Sequence, residues 1–169
     1  MHGIGCLMAA LCLAACGGGS AQAEPSTAST ASPAPVGPER PWEDLTFDER
    51  RAHMGRHVMP VMTDLFVAYD SARYADFSCA TCHGEGVANG DFAMPNPALP
   101  TVYPSGTLGQ RQMVDDNPEG ARFMFSRVIP AMQTLLGREP YDPATGTGMS
   151  CFTSHPSAAA DDPLAAPHQ

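Results

Sequence analysis

The chain has 169 residues, with 9 Lys and Arg side chains against 18 Asp and Glu side chains and a formal net charge of −9. This acidic balance excludes a nucleic-acid-binding protein that depends on net positive charge. Apolar residues make up 43% of the chain, which excludes a wholly disordered protein, and the length suits a single domain.

Residues 4–15 form an apolar run near the N-terminus. The run is too short to span a bilayer as a mature helix, and it has the length of the hydrophobic part of a secretory signal. It ends in Leu-Ala-Ala-Cys, which resembles the lipobox of bacterial lipoproteins and predicts lipidation of Cys16. We therefore expect residues 1–15 to be a lipoprotein signal peptide, with an ordinary signal peptide cleaved elsewhere as the alternative. The mature protein is then exported and anchored to a membrane on the periplasmic side, and Gly17, in place of an aspartate, favours the outer membrane.

Small residues and prolines dominate the next segment, residues 16–41. Such a composition buries too little apolar surface to fold, so we expect a disordered tether between the lipid and the domain. Residues 157–169 have the same character and are predicted to be a flexible tail. The folded domain is therefore expected over residues 42–156.

The sequence Cys79-Ala-Thr-Cys82-His83 is the attachment motif of c-type haem. The two thiols form thioethers with the haem vinyl groups, and the adjacent imidazole becomes an axial ligand of the iron. A thioredoxin-like redox pair would need a βαβ pattern around the motif, and a zinc site would need a second pair of ligands at suitable spacing. Neither feature is present in the sequence, so the motif predicts one covalently bound haem c.

The first predicted helix begins at Thr46, which forms a capping box with Glu49. An apolar stripe at helical spacing follows, made of Met54, Val58, Val61, Met62, Leu65, Phe66 and Tyr69. Pro60 lies inside this helix and is expected to kink it.

The chain then repeats this pattern. Residues 124–136 match residues 54–66 at five of thirteen positions. Residues 141–155 match residues 69–83 at seven of fifteen positions, after a short insertion between the two matching stretches. We interpret this as an internal duplication of a helix followed by a haem motif, with repeat one over residues 46–83 and a degenerate repeat two over residues 117–155.

Asn117 and Gly137 are suited to begin and end the helix of repeat two, and Pro130 is expected to kink it as Pro60 kinks the first. The predicted fold class is therefore mainly α, with two duplicated helix–turn–haem-motif units joined by long irregular connections rich in proline and glycine.

The second motif lacks one cysteine. Cys151 and His155 are retained, but Ser154 stands where the second thiol belongs. Because a hydroxyl does not add to a vinyl group as a thiolate does, only one thioether can form. Either a second haem is held by that single bond, with His155 and Met132 as axial ligands, or the site is vestigial, which is the interpretation we favour.

The helix and the motif together resemble the haem-binding segments of the photosynthetic reaction-centre multihaem cytochrome subunit. In that family each unit is a helix with an axial methionine, then a turn, then the haem motif, and two units here replace its four. The resemblance implies Met62 as the sixth ligand of the iron bound by His83. Met132 occupies the same repeat position as Met62, and both lie on the apolar stripes of their helices.

Other side chains compete for the sixth position. Met94 lies shortly after His83, directly before a proline, and resembles the Met-Pro loops of single-haem cytochromes. Two more methionines lie on the first helix, and a histidine there would give a bis-histidine haem. The methionines are Met54 and Met59, and the histidines are His53 and His57.

These residues favour an electron-transfer lipoprotein, which passes single electrons between redox partner proteins at the membrane. We expect it to be neither an enzyme nor a nucleic-acid-binding protein. Two alternatives stay open. A haem sensor or peroxidase-like protein would have an open distal position, where Arg56 or His57 could act on a bound ligand. A structural subunit of a membrane electron-transfer complex would use its haem only as a folding element.

The lipobox generates a first prediction, that Cys16→Ser releases the protein from membranes and leaves its haem absorption unchanged. Each CH₂ group of a lipid chain contributes about 0.8 kcal/mol of membrane affinity, and a tether separates that anchor from the domain. Fractionation of cells into soluble and membrane proteins measures the change. Continued membrane attachment of the variant contradicts the lipoprotein interpretation.

Overall fold

A computed structural model describes residues 34–167. The predicted signal peptide, Cys16 and most of the predicted tether lie outside these residues, as do residues 168–169. Between 34 and 167 the structure is mainly helical, which confirms the predicted class, and β-pairing there is limited to four isolated bridges. No helix in this part of the chain is both long enough and apolar enough to cross a bilayer.

The α-helices are α1 (Phe47–His53), α2 (Met59–Tyr69), α3 (Cys79–His83), α4 (Leu108–Asp116), α5 (Pro118–Phe123) and α6 (Ile129–Leu136). Two π-helical turns, Met54–Val58 and Met124–Val128, join α1 to α2 and α5 to α6. We call α1, its π turn and α2 the first composite helix, and α5, its π turn and α6 the second. Short 3₁₀ turns occur at Trp42–Asp44, Glu85–Asn89, Cys151–Thr153 and Pro163–Ala165.

The predicted helix caps are present. The backbone N–H of Thr46 donates to the Glu49 carboxylate at 2.8 Å, and the Glu49 N–H donates back to the Thr46 hydroxyl at 3.3 Å. The Asn117 side-chain oxygen accepts from the N–H of Gly120 at 3.1 Å and begins α5. Gly137, with φ of 60°, ends α6 in the left-handed conformation.

In each composite helix one residue separates the π turn from a proline, Pro60 or Pro130. Proline lacks an N–H and its ring crowds the carbonyl four residues earlier, so a regular helical turn is not completed there. Instead the N–H of Met59 bonds to the Met54 carbonyl five residues back. The N–H of Ile129 bonds to the Met124 carbonyl in the same way. Where the sequence predicts a kink in each helix, the structure therefore has a widened turn.

The core lies where the two composite helices pack together. From the predicted stripe of the first helix, the buried side chains are Val58, Val61, Met62 and Phe66. They form one apolar cluster with Val128, Leu135, Leu136 and Met149, which are buried as well. Other rings surround Phe66, with centroids 4.9 Å away in Tyr74, 5.0 Å in Phe77 and 5.1 Å in Phe123. This aromatic group closes the core at the end of α2.

A polar contact also joins the two composite helices. Nε2 of His53 donates to the Leu135 carbonyl at 2.7 Å. Trp42, the single tryptophan of the chain, packs edge-on against the His53 ring at 6.0 Å between centroids. The guanidinium of Arg50 lies 5.7 Å from the centre of the same indole. His53 is therefore a structural link between the helices.

Residues at both ends pack on the domain, although the sequence assigns them to the tether and the tail. Gly37 lies so close to α6 that a Cβ on it would be 2.8 Å from the Thr134 carbonyl oxygen. At the other end, the Ala158 N–H donates to the Val102 carbonyl at 2.9 Å. The Tyr103 hydroxyl donates to Asp162 at 3.3 Å. Backbone pairing needs no apolar side chains, so composition alone does not reveal it.

Candidate haem site

Helix α3 carries the first haem motif and is shaped by two short side chains. The N–H of Ser78 donates to the Thr81 hydroxyl at 3.0 Å, which fixes the start of the turn. The spacing of three residues places Cys79 and Cys82 on one face of this turn. Both cysteines are free thiols and are half-buried. Burial, together with the neighbouring Cys79 thiol, raises the pKa of Cys82 to about 11.

The His83 ring is held in an orientation that suits a metal ligand. Its Nδ1 lies 3.0 Å from the Phe92 carbonyl oxygen. A carbonyl only accepts hydrogen bonds, so Nδ1 carries the proton and the lone pair of the neutral ring is on Nε2. Burial lowers the pKa of His83, against the opposing effect of the bond to the Phe92 carbonyl. The neutral ring that an iron ligand requires is therefore favoured at neutral pH.

The second motif forms a shorter turn, the 3₁₀ turn Cys151–Thr153, with the same cap as α3. The Ser150 N–H donates to the Thr153 hydroxyl at 3.1 Å, as Ser78 does to Thr81 in the first motif. Nδ1 of His155 lies 2.9 Å from the Pro100 carbonyl oxygen, which again leaves the Nε2 lone pair free. Cys151 is a half-buried free thiol, and burial raises its pKa. The second motif thus has the cap of the first and a histidine whose Nε2 lone pair is free, without the second thiol.

One residue that sequence reasoning missed contacts both motifs. Asn96 is buried, with 5% of its surface exposed. Its side-chain amide donates to the Cys82 carbonyl at 3.0 Å, and its backbone N–H donates to the Ser154 carbonyl at 3.0 Å. The only signal in the sequence is its position between Pro95 and Pro97, which marks a turn residue without indicating its partners.

A cleft of about 380 Å³ opens beside the first motif. The segment that follows the motif supplies most of its lining, which includes His83, Gly84, Glu85, Asp91, Ala93 and Asn96. Two free thiols on one turn and an imidazole with its Nε2 lone pair free are the donor set that covalent haem attachment requires. The residues present therefore fit haem c.

The methionine candidates lie in different surroundings. Met62 is 3% exposed, within the core between the composite helices, and Met132 is half-buried against the same core. Met94 is half-buried in the segment after the first motif. Phe77 stands two residues before Cys79 and packs on Phe66, one helical turn beyond Met62. The core that contains Met62 thus adjoins the start of the motif turn.

The remaining candidates lie on the first composite helix, and one of them, His53, already uses the nitrogen that would bind iron. His53 uses Nε2 to bond the Leu135 carbonyl, and its ring lies 4.8 Å from that of His57. Met54 and Met59 are half-buried, and Met54 packs against the core. Within residues 34–167 no group of three or more His, Cys, Asp or Glu side chains is arranged to hold a metal ion. The second pair of ligands that a zinc site needs is not found in this part of the chain.

Comparison with protein-family models, with curated proteins and with solved structures gave no match to this chain.

The contact between Gly84 and Asn96 generates a second prediction. Gly84 has φ of 80° and ψ of −173°, a region essentially confined to glycine, and a Cβ there would lie 3.1 Å from the Asn96 amide nitrogen. We expect Gly84→Ala to lower the free energy of unfolding by about 2–3 kcal/mol. Gly90 also has positive φ, but a Cβ there meets nothing within 4 Å, so Gly90→Ala should cost about 1 kcal/mol. Denaturant unfolding of both variants measures the difference, and equal losses contradict the argument.

Proposed function

We propose that the protein is a c-type cytochrome that carries single electrons. The observation that supports this most is the bond from Nδ1 of His83 to the Phe92 carbonyl, on the same turn as two free thiols. Each thiol, of Cys79 and Cys82, adds its sulfur to one carbon of a haem vinyl group and its proton to the other, so the attachment consumes no oxidant. Bound haem supplies an iron that alternates between its ferrous and ferric states.

The residues around the motif have distinct tasks in this proposal. His83 binds the iron through Nε2, and the Phe92 carbonyl fixes the ring and holds the proton on Nδ1. Met62 is the proposed sixth ligand, because it belongs to the apolar core that adjoins the motif turn, whereas Met94 lies outside that core. A thioether ligand raises the reduction potential relative to a second imidazole. Met94 stays the alternative.

We also propose that the two units arose by duplication. Both composite helices have the order α–π–α, and their π turns, Met54–Val58 and Met124–Val128, occupy equivalent positions in the two repeats. The motif turns share their cap at equivalent positions. In each, the histidine Nδ1 donates to a backbone carbonyl of the segment between the repeats, Phe92 for His83 and Pro100 for His155. In repeat two the thiol that Ser154 replaces is missing, so we propose that this site is vestigial. A haem held by Cys151 alone, with His155 and Met132 as axial ligands, is the alternative.

The setting of this cytochrome is proposed from the N-terminal sequence. Lipidated Cys16 would hold the domain at the periplasmic side of a membrane, where redox partner proteins exchange electrons with it. A haem sensor or peroxidase-like protein and a structural subunit are the competing functions. A six-coordinate iron with a weak near-infrared Met–Fe band in the oxidised protein favours electron transfer over an open site.

Intact mass of the protein, matured in cells that attach haem, tests this proposal. We expect a mass increase of one haem in the wild type. Cys82→Ser reproduces the residue found in the second motif and should abolish stable haem retention, because only one thioether can then form. The matched control Cys151→Ser should leave the mass increase unchanged. No haem in the wild type refutes the cytochrome, and a mass increase of two haems refutes the vestigial second site.

The equivalence of Met62 and Met132 generates a prediction about the sixth ligand. Met62→His should convert the iron to bis-imidazole ligation, remove the Met–Fe band and lower the reduction potential by on the order of a hundred millivolts. Met132→His, the same change at the same repeat position, should alter neither quantity if the second site is empty. Spectroelectrochemistry measures both. If Met94→Ala removes the band while Met62→Ala retains it, Met94 is the ligand.

A further inference from the structure

Asn96 connects the same position of the two motif turns. Its amide donates to the carbonyl of Cys82, and its backbone N–H donates to the carbonyl of Ser154. Cys82 and Ser154 are equivalent in the repeat, since each directly precedes the histidine of its motif. The carbonyls that accept from the two histidines belong to Phe92 and Pro100. These two residues are equally far from Asn96 along the chain, one before it and one after it.

We propose that Asn96 is a positioning residue for His83, and that through it the second motif turn supports the first. This inference rests on the proposed function, because the orientation of His83 matters chemically when His83 binds iron. It gives the second motif a role that requires no haem of its own.

Asn96 acts on the peptide bond between Cys82 and His83. Because the peptide unit is planar, a hydrogen bond to the Cys82 carbonyl fixes the plane that leads into the His83 backbone. The Phe92 carbonyl accepts a hydrogen bond from Nδ1 of His83 and so fixes the ring of the same residue. Both contacts come from the segment of residues 92–96, so that segment determines the backbone and the ring of His83 together.

Both polar atoms of the Asn96 side-chain amide, its nitrogen and its oxygen, form hydrogen bonds. Its amide nitrogen bonds to the Cys82 carbonyl, and its oxygen accepts from the Ala98 N–H at 2.9 Å. Gly84 leaves room for this side chain, since a Cβ at residue 84 would come within 3.1 Å of the amide nitrogen. A buried amide is stable only when its polar atoms are paired, and here both the nitrogen and the oxygen have partners.

The second motif anchors the segment that carries Asn96. The Ser154 carbonyl accepts from the Asn96 N–H, and the Pro156 carbonyl accepts from the Val102 N–H at 2.9 Å. Between them, His155 donates to the Pro100 carbonyl. These hydrogen bonds fasten residues 96–102 to the end of the second motif, and the Asn96 side chain extends that attachment to Cys82.

Variants of Asn96 in the full haem-bearing protein test the positioning role. We expect Asn96→Ala to shift the g-values of the ferric iron and its reduction potential, because both depend on the orientation of the histidine plane. Asn96→Asp should give a shift as well, since a carboxylate can accept from Ala98 but cannot donate to Cys82. Asn89→Ala changes an exposed asparagine in the 3₁₀ turn Glu85–Asn89 and should leave both quantities unchanged. Unchanged g-values and potential in both Asn96 variants overturn the proposal.

A double-mutant cycle tests the coupling to the second motif. Thr153→Val removes the hydroxyl that caps the second turn and keeps the shape of the side chain. It should shift the potential of the haem at the first motif in the wild-type background and have a smaller effect in the Asn96→Ala background, where the side-chain bond to Cys82 is absent. No shift in either background, or the same shift in both, overturns the coupling.

A measurement that does not need haem separates failure of this inference from failure of the proposed function. If the wild-type protein bears no haem, the carbonyl ¹³C resonance of Cys82 in the full chain reports the contact directly. Loss of the hydrogen bond in Asn96→Ala should move this resonance upfield, with no change in Asn89→Ala. A resonance that stays in place refutes the role of Asn96 whether or not haem is present.

Discussion

A helix as short as α3 cannot pair all of its backbone N–H and carbonyl groups internally. The segment around the motif must therefore supply hydrogen-bond partners. The carbonyls at the end of α3 have no partners within the helix, so they need donors from outside. Asn96 supplies one donor to the Cys82 carbonyl, and the Phe92 carbonyl accepts a hydrogen bond from Nδ1 of His83. The connecting segment is consequently fixed against the motif, although it has no regular secondary structure over most of its length.

Local signals in the sequence predicted the helix ends well. The capping box at Thr46, the cap at Asn117 and the glycine stop at Gly137 each depend on residues within about one helical turn, so a single sequence contains all the information. The apolar stripe likewise identified buried positions such as Val58 and Phe66, because helical periodicity and burial are directly related.

Contacts between residues far apart in the sequence could not be predicted in the same way. The bonds of Asn96 to Cys82 and Ser154 join parts of the chain that are far apart in sequence, and no local pattern specifies them. The attachment of residues 157–167 depends on backbone pairing with the segment near Val102, which is independent of side-chain composition. For the candidate site, the sequence therefore identified the donor atoms, whereas the hydrogen bonds that orient them required the structure. The duplication and the haem itself stay predictions.

The position of Trp42 gives the molecule an optical property of its own. The chain has a single indole, and it packs against the histidine that bonds the two composite helices together through the Leu135 carbonyl. Its fluorescence therefore reports the local environment of that junction without any attached label. In a protein that carries the proposed haem, energy transfer from Trp42 would also depend on the separation between the junction and the haem, because haem absorbs where indole emits. Unfolding at the junction of the helix pair can thus be followed in the unmodified protein.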